Sequence, residues 1–305
     1  MSRTVSLYPI PEGEQARTVV GHDGTRLFVH AFASPAPAPK LRVYLQDGIL
    51  CDGFIWRYLW DAILPFADVT HWHYRGHGRS AAPSDEDAIG IEAHAEDLQC
   101  IRREDGEVPC VLIGHSMGTQ VCLENFRRYP RNVLGMVLLS GSYGKITQTF
   151  RGLPVLDMVL PSIIDFVGKR ENVVRALWSR LPPEFAFKMG LRAGEFDASR
   201  IKREDMLPYL RNMTQVDMPM FLRMLAAAGR HTAEELLSEI DIPTLVIGGE
   251  KDTFTPGWLS EKMAASIPGA KLVMCKGGSH VAPIEQPEVV NPAVVEFLQS
   301  LSVPA

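Results

Sequence analysis

A chain of 305 residues with 46% apolar side chains can bury one large core and still carry an inserted subdomain. Its formal net charge of −5, with a pI near 6.0, argues against general affinity for nucleic-acid backbones. No run of about 18 uncharged apolar residues suggests a membrane span, and the opening Met1-Ser2-Arg3-Thr4-Val5-Ser6 lacks the apolar core of a signal peptide. The five cysteines are an odd number without Cys-x-x-Cys spacing, so they read as free thiols in a reducing compartment, and a cytoplasmic location is expected.

In chain order, the segments 18–22 and 27–32 read as an antiparallel hairpin turning through Asp23-Gly24. Ser34-Pro35-Ala36-Pro37-Ala38-Pro39 can neither ladder nor coil into a helix and makes a stiff connector. Near-continuous apolar runs then predict buried strands over 41–46, 69–73, 108–113, 133–139, 244–247 and 271–275. Helices are expected over 55–64, 91–102, 117–129, 256–267 and 287–301, with Pro256 and Pro287 suited to a first turn. Such alternation implies an α/β fold with a mostly parallel sheet covered on both faces. Residues 142–240 interrupt it. They are rich in helix formers, broken by Pro161, Pro182-Pro183, Pro208 and Pro219, and carry Met158, Met189, Met206, Met213, Met218, Met220 and Met224. The expected division is a core of residues 1–141 and 241–305 with a helical insertion of 142–240.

The most informative stretch is Val111-Leu112-Ile113-Gly114-His115-Ser116-Met117-Gly118, a strand running into Gly-x-Ser-x-Gly and then a helix. A serine hydroxyl is a poor nucleophile unless it is held exposed beside a base and near donors for the charge it creates. Gly114 and Gly118 let the backbone pass close by, so that Ser116 projects alone. Two further segments supply context: a strand run ends in Gly248-Gly249-Glu250-Lys251-Asp252, and another leads into Gly277-Gly278-Ser279-His280. Nucleophile, then acid, then base, each just past a strand, resembles the α/β-hydrolase superfamily in its esterase-like branch. The likeness spans nearly the whole chain except the first dozen residues and the middle segment.

That resemblance implies a triad of Ser116, Asp252 and His280, with Glu250 and Asp241 as the local rivals of Asp252. It also implies an oxyanion hole from the backbone N–H groups of Met117 and Ile49. Relatives usually show His-Gly where this chain has Asp47-Gly48. An ionised Asp47 beside a developing oxyanion would raise the barrier unless its carboxylate accepts loop N–H bonds and points away. The middle segment stands where relatives insert a helical cap, and its methionines with Phe185, Phe187 and Phe221 read either as cap core or as a deformable pocket roof.

His71, His73 and His77 sit at a spacing that invites a metal reading. The run from Arg75 to Ser80 instead resembles the Arg-Gly-x-Gly-x-Ser loop of the same family, whose pattern has an acid where His73 stands, and no metal is expected. Asp85-Glu86-Asp87 reads as solvated surface, and no phosphate-cradling Gly-x-x-x-x-Gly-Lys-Ser/Thr is present. No cofactor, nucleic acid or membrane span is implied. The expected function is hydrolysis of a carboxylic ester of a small or medium apolar acyl group, with Phe54, Phe254 and Val281 in the pocket beside Ile49 and Met117. Alternatives with the same residues are carbon–carbon bond hydrolysis, cofactor-free perhydrolysis, or a low-turnover ligand receptor.

Overall fold

The computed structural model describes residues 10–36, 41–193, 196–197, 199–213 and 216–302. The first nine residues, Pro37 to Pro39 of the expected connector and the last three residues lie outside this set. The chain opens with β1 (Gln15–Val20) and β2 (Arg26–Phe32), followed by β3 (Arg42–Gln46), β4 (Asp68–Trp72), β5 (Cys110–His115), β6 (Val133–Leu139), β7 (Thr244–Gly249) and β8 (Lys271–Cys275). Among the described residues these eight strands form one sheet in the order β1-β2-β4-β3-β5-β6-β7-β8. Pairing is antiparallel at β1–β2 and β2–β4 and parallel elsewhere.

The central strands are buried along their length, as their apolar runs predict. Alternate residues feed two cores. Val43, Val111, Val137 and Leu245 join one, and Tyr44, Leu112, Leu138 and Val246 join the other. Helix α1 (Trp60–Ile63) packs in the first core; α2 (Ile91–Glu104) and α3 (Met117–Arg128) pack in the second. Between β6 and β7 come α4 (Ile146–Thr149), α5 (Val155–Gly168), α6 (Glu171–Trp178), α7 (Pro183–Ala193), α8 (Arg203–Met213) and α9 (Met218–Arg230). The chain closes with α10 (Gly257–Ser266), α11 (Ala282–Glu285) and α12 (Pro287–Ser300).

Two sequence expectations need correction. A single helix over 55–64 resolves into a 3₁₀ turn, Phe54–Trp56, and the short α1. Phe54, Ile55 and Trp56 are consecutive and all buried, which one helical stripe cannot achieve. A tighter turn, closed by Arg57 N–H donating to the Phe54 carbonyl at 3.2 Å, wraps all three inward. Strand β1 begins earlier than expected because most of it is exposed edge, where the apolar signal is weak. Its connection to β2 is a loop from Gly21 to Thr25, closed by Gly21 N–H to the Thr25 carbonyl at 2.8 Å, rather than a two-residue turn.

The helical segment leaves and rejoins the sheet through one neck. Ala233 N–H donates to the Tyr143 carbonyl at 2.7 Å, and Lys145 N–H donates to the His231 carbonyl at 3.0 Å. Gly144 permits this approach, since a Cβ there would stand 2.4 Å from the His231 oxygen. Helix α3 pins the neck. Gln120 Nε2 donates to the Ala228 carbonyl at 2.9 Å, and Glu124 lies 3.1 Å from His231 Nε2. The seven methionines divide by place: Met206 and Met224 are fully buried, Met220 nearly so, and Met158 and Met189 face solvent. No helix among the described residues is long and apolar enough to cross a membrane. The five cysteines are unpaired, and burial pushes the Cys110 and Cys275 thiols up to about 11.

Candidate active site

Ser116 occupies the sharp turn between β5 and α3, with φ 55° and ψ −119°. A left-handed φ at a residue with a Cβ costs on the order of 1–3 kcal/mol and persists only where the surroundings over-determine it. Here Ser116 N–H donates to the Leu139 carbonyl at 2.9 Å, and its own carbonyl accepts Thr119 N–H at 3.1 Å. The flanking glycines are obligatory on steric grounds. A Cβ at Gly118 would lie 2.1 Å from the Gln46 carbonyl oxygen, and one at Gly114 would lie 2.3 Å from that of Gly118.

His280 lies in the loop after β8 and turns both ring nitrogens to use. Its Nε2 is 3.0 Å from Ser116 Oγ and its Nδ1 is 2.8 Å from Asp252 Oδ2. Ser116 and His280 are half-buried, whereas the Asp252 carboxylate is fully enclosed. Asp252 Oδ1 accepts the backbone N–H groups of Phe254 at 2.9 Å and Thr255 at 2.8 Å. Thr255 Oγ1 stands 2.9 Å from Asp252 Oδ2 and 2.7 Å from the Ser140 carbonyl. The rival Glu250 instead accepts Gly277 N–H at 2.7 Å on the surface. Asp241 is exposed at the approach to β7.

The His280 loop is held by groups that the sequence reading did not single out. Glu285 is buried and accepts both the N–H and the Oγ–H of Ser279, at 2.9 and 2.8 Å. His115 Nε2 donates to the His280 carbonyl at 2.9 Å. Burial, reinforced by the neighbouring His280, holds the His115 pKa down to about 3, so its ring is neutral. Thr255, Glu285 and His115 have ordinary sequence neighbourhoods, and only the position of His115 inside Gly-x-Ser-x-Gly offered a signal.

The loop after β3 runs directly past the serine. A Cβ at Gly48 would stand 3.1 Å from Ser116 Cβ and 3.1 Å from His115 Nδ1. Among the described residues no acceptor takes the backbone N–H of Ile49 or of Met117. Met117 opens α3, where the helix dipole favours negative charge. Asp47 is buried, but its partners differ from the loop amides expected: Oδ1 accepts Trp56 Nε1–H at 2.7 Å and Oδ2 lies 2.8 Å from His71 Nε2. Of the expected pocket residues, Phe254 is 39% exposed with its ring 5.0 Å from that of His280. Val281 is buried directly after His280, and Phe54 is buried with its ring stacked 4.2 Å from Tyr209 of α8.

His71, His73 and His77 do not converge. His77 turns Nδ1 to the Arg75 carbonyl at 3.1 Å, while His30 of β2 joins His71 and His73. The Arg75 guanidinium is buried against Asp97 at 2.7 and 2.8 Å and Asp23 at 2.8 Å, which gives the loop from Arg75 to Ser80 a structural anchor.

A linked serine, imidazole and carboxylate beside two undirected N–H groups can transfer an acyl group: the imidazole takes the hydroxyl proton while the N–H pair receives the oxyanion. The sequence pattern described as "Alpha/beta hydrolase family" matches residues 27–293. The chain is similar to the polyketide synthase ThaQ of Burkholderia thailandensis, 26% identical over 300 residues. That match takes in 97% of this chain and only 13% of the synthase. It is also similar to a putative 2-succinyl-6-hydroxy-2,4-cyclohexadiene-1-carboxylate synthase of Bacillus subtilis, 26% identical over 92% of this chain and 97% of the relative. The solved esterase EaEST of Exiguobacterium antarcticum superposes with a TM-score of 0.76 at 18% identity, over 94% of this chain and all of that one, a likeness of fold.

Proposed function

This chain belongs to the alpha/beta hydrolase family, and on that premise we propose that it is a serine hydrolase cleaving carboxylic esters of small or medium apolar acyl groups. The observation that carries the reading is the hydrogen-bonded line from Ser116 Oγ through His280 to Asp252, at 3.0 and 2.8 Å. Ser116 attacks the ester carbonyl as His280 Nε2 takes its proton. Asp252 holds the Nδ1–H tautomer and stabilises the imidazolium. The oxyanion is received by the N–H groups of Met117 and Ile49. His280 then returns the proton to the departing alcohol, and water repeats the sequence on the acyl-enzyme. A serine at the elbow argues against dehalogenation or epoxide opening through an alkyl ester, for which this fold needs a carboxylate nucleophile.

The helical segment of 142–240 acts in this reading as a cap. Its support is the neck that ties it to α3, and the contact of Phe54 with Tyr209, which brings α8 onto the loop beside the serine. Phe254, Val281 and the cap then enclose the acyl chain, and each methylene buried contributes about 0.8 kcal/mol. The test is labelling by a fluorophosphonate probe followed by turnover of p-nitrophenyl esters of increasing chain length. Labelling at Ser116 with ester turnover supports the proposal. A folded protein that neither labels nor turns over esters would be an inert scaffold and would refute it.

A further inference from the structure

Beneath the proposed oxyanion loop lies a line of four titratable groups that the acyl-transfer steps leave unused. Asp47 Oδ2 is 2.8 Å from His71 Nε2, His71 Nδ1 is 2.6 Å from His30 Nε2, and His30 Nδ1 is 2.9 Å from Glu14 Oε1. Asp47, His71 and His30 are 1%, 0% and 3% exposed, and Glu14 reaches the surface. Three hydrogen bonds need three protons, but two neutral imidazoles bring only two. Glu14 Oε1 also forms a surface ion pair with Arg79, 3.9 Å from a guanidinium nitrogen. With Glu14 a carboxylate, His30 donates from Nδ1 and accepts at Nε2 from His71 Nδ1, which leaves the third proton between His71 Nε2 and Asp47 Oδ2. Beside an ionised Asp47 it sits on His71, which then donates from both nitrogens. Burial, then the neighbouring His71, His73 and Arg79, push the His30 pKa well down, in keeping with a single proton there.

We infer that His71 is a positioning residue for the site: doubly protonated between Asp47 and His30, it neutralises Asp47 and locks the backbone that carries Gly48 and Ile49. This rests on the acyl-transfer reading. Asp47 is held at three points, since Tyr74 Oη–H donates to its carbonyl at 2.8 Å while Trp56 and His71 hold its carboxylate. The next residue, Gly48, lies against Ser116, so a shift of Asp47 moves the Ile49 N–H relative to the nucleophile. A buried carboxylate left without its cation would stand close to where negative charge develops and would oppose it. His73, one residue past β4, packs beside His71 with ring centroids 5.6 Å apart, and its Nδ1 already accepts the Arg79 backbone N–H at 2.9 Å. Cys51, Tyr74 and His77 are the other titratable groups in the field of Asp47.

The experiment has two arms. Imidazole ¹⁵N–¹H correlation spectra of the full chain at neutral pH should show His71 protonated on both nitrogens and His30 on one. A neutral His71 overturns the inference without touching the esterase reading. In the second arm, His71→Gln should lower kcat by about 10²-fold, comparable to loss of one oxyanion donor, with KM changed far less. Adding Asp47→Asn should recover at least about tenfold of that loss, because the stranded charge is gone. A double variant as slow as the single, with Ser116 still labelled by fluorophosphonate, refutes the positioning role. Absence of labelling in the wild type would instead refute acyl transfer while the spectra still decide the charge of the chain.

Discussion

Replacing Asp252 with Asn should leave the protein folded and nearly inactive, because the surrounding donors dictate which way the amide turns. Asp252 Oδ1 receives two backbone N–H groups, from Phe254 and Thr255, at 2.9 and 2.8 Å. Those donors cannot face an NH₂ group, so the amide oxygen takes the Oδ1 position and the nitrogen takes that of Oδ2, 2.8 Å from His280 Nδ1. An N–H donated to Nδ1 drives the imidazole proton to Nε2, which then points at Ser116 Oγ and cannot accept from it. A wrong tautomer in a related geometry costs about 10⁴ in kcat, or about 5 kcal/mol of barrier. Thr255 Oγ1 keeps its bond to the Ser140 carbonyl at 2.7 Å, so the loop retains an anchor and stability should change little. The assay is kcat on a p-nitrophenyl ester, with thermal unfolding as the control for folding. Activity within tenfold of wild type, or an equal loss in Glu250→Gln, would refute the assignment of the acid and the donor argument together.

Ser116→Ala should abolish ester turnover by about 10⁶ in kcat and remove fluorophosphonate labelling; more than a tenth of wild-type activity on the same ester would sink the nucleophile. His94 and His115 are buried rings whose pKa values are held down to about 3, chiefly by burial. Unfolded histidine titrates near 6.5, so between those values the unfolded chain binds protons that the folded chain does not. Stability should therefore be full above about pH 6.5 and fall as pH drops below it, by about 1.4 kcal/mol per pH unit for each ring. Urea midpoints that stay level from pH 8 to pH 5 would contradict this. If the helical segment is a cap, kcat/KM should rise over the first few acyl carbons and then fall, and Met220→Ala or Phe221→Ala should move the optimum. An unchanged profile in both variants would put chain-length selection in the core loops.

Helix α3 joins the two halves of the proposed reaction. Its first residue, Met117, carries the N–H proposed to receive the oxyanion, while Gln120, about one turn on, and Glu124, about two turns on, hold the neck of the helical segment. Burial opposes the charge of Glu124, but hydrogen bonds from His231 and Arg128 and the field of Arg127 outweigh it and bring its pKa down to about 2. Its cationic partners Arg127 and Arg128 sit on α3 itself, and across the neck the carboxylate lies 3.1 Å from His231 Nε2. In the proposed reaction, a cap that selects the acyl chain and an oxyanion donor beside the serine would share α3 as their support.

What was legible in the sequence was what short range imposes. The elbow could be read because close backbone contact excludes every side chain at Gly114 and Gly118, a constraint that falls within five residues. The order of Ser116, Asp252 and His280 could be read because each follows an apolar strand, and parallel strands bring their carboxyl ends to one edge. What resisted reading was partnership across the sheet. The sequence offered Asp47 loop N–H groups as partners; instead its carboxylate meets Trp56 and His71, 24 residues away, which is joined in turn by His30 on the antiparallel β2. No spacing rule links those positions, because β2 meets β4 only once β4 has inserted between β2 and β3. The three-histidine pattern failed for the complementary reason. His71 on β4 and His73, one residue past its end, lie on one face by strand alternation, whereas His77 lies beyond a turn, and the third ring of the cluster comes from a strand 41 residues before His71. Spacing along a chain predicts convergence within one element; across elements, sheet order decides which imidazoles meet.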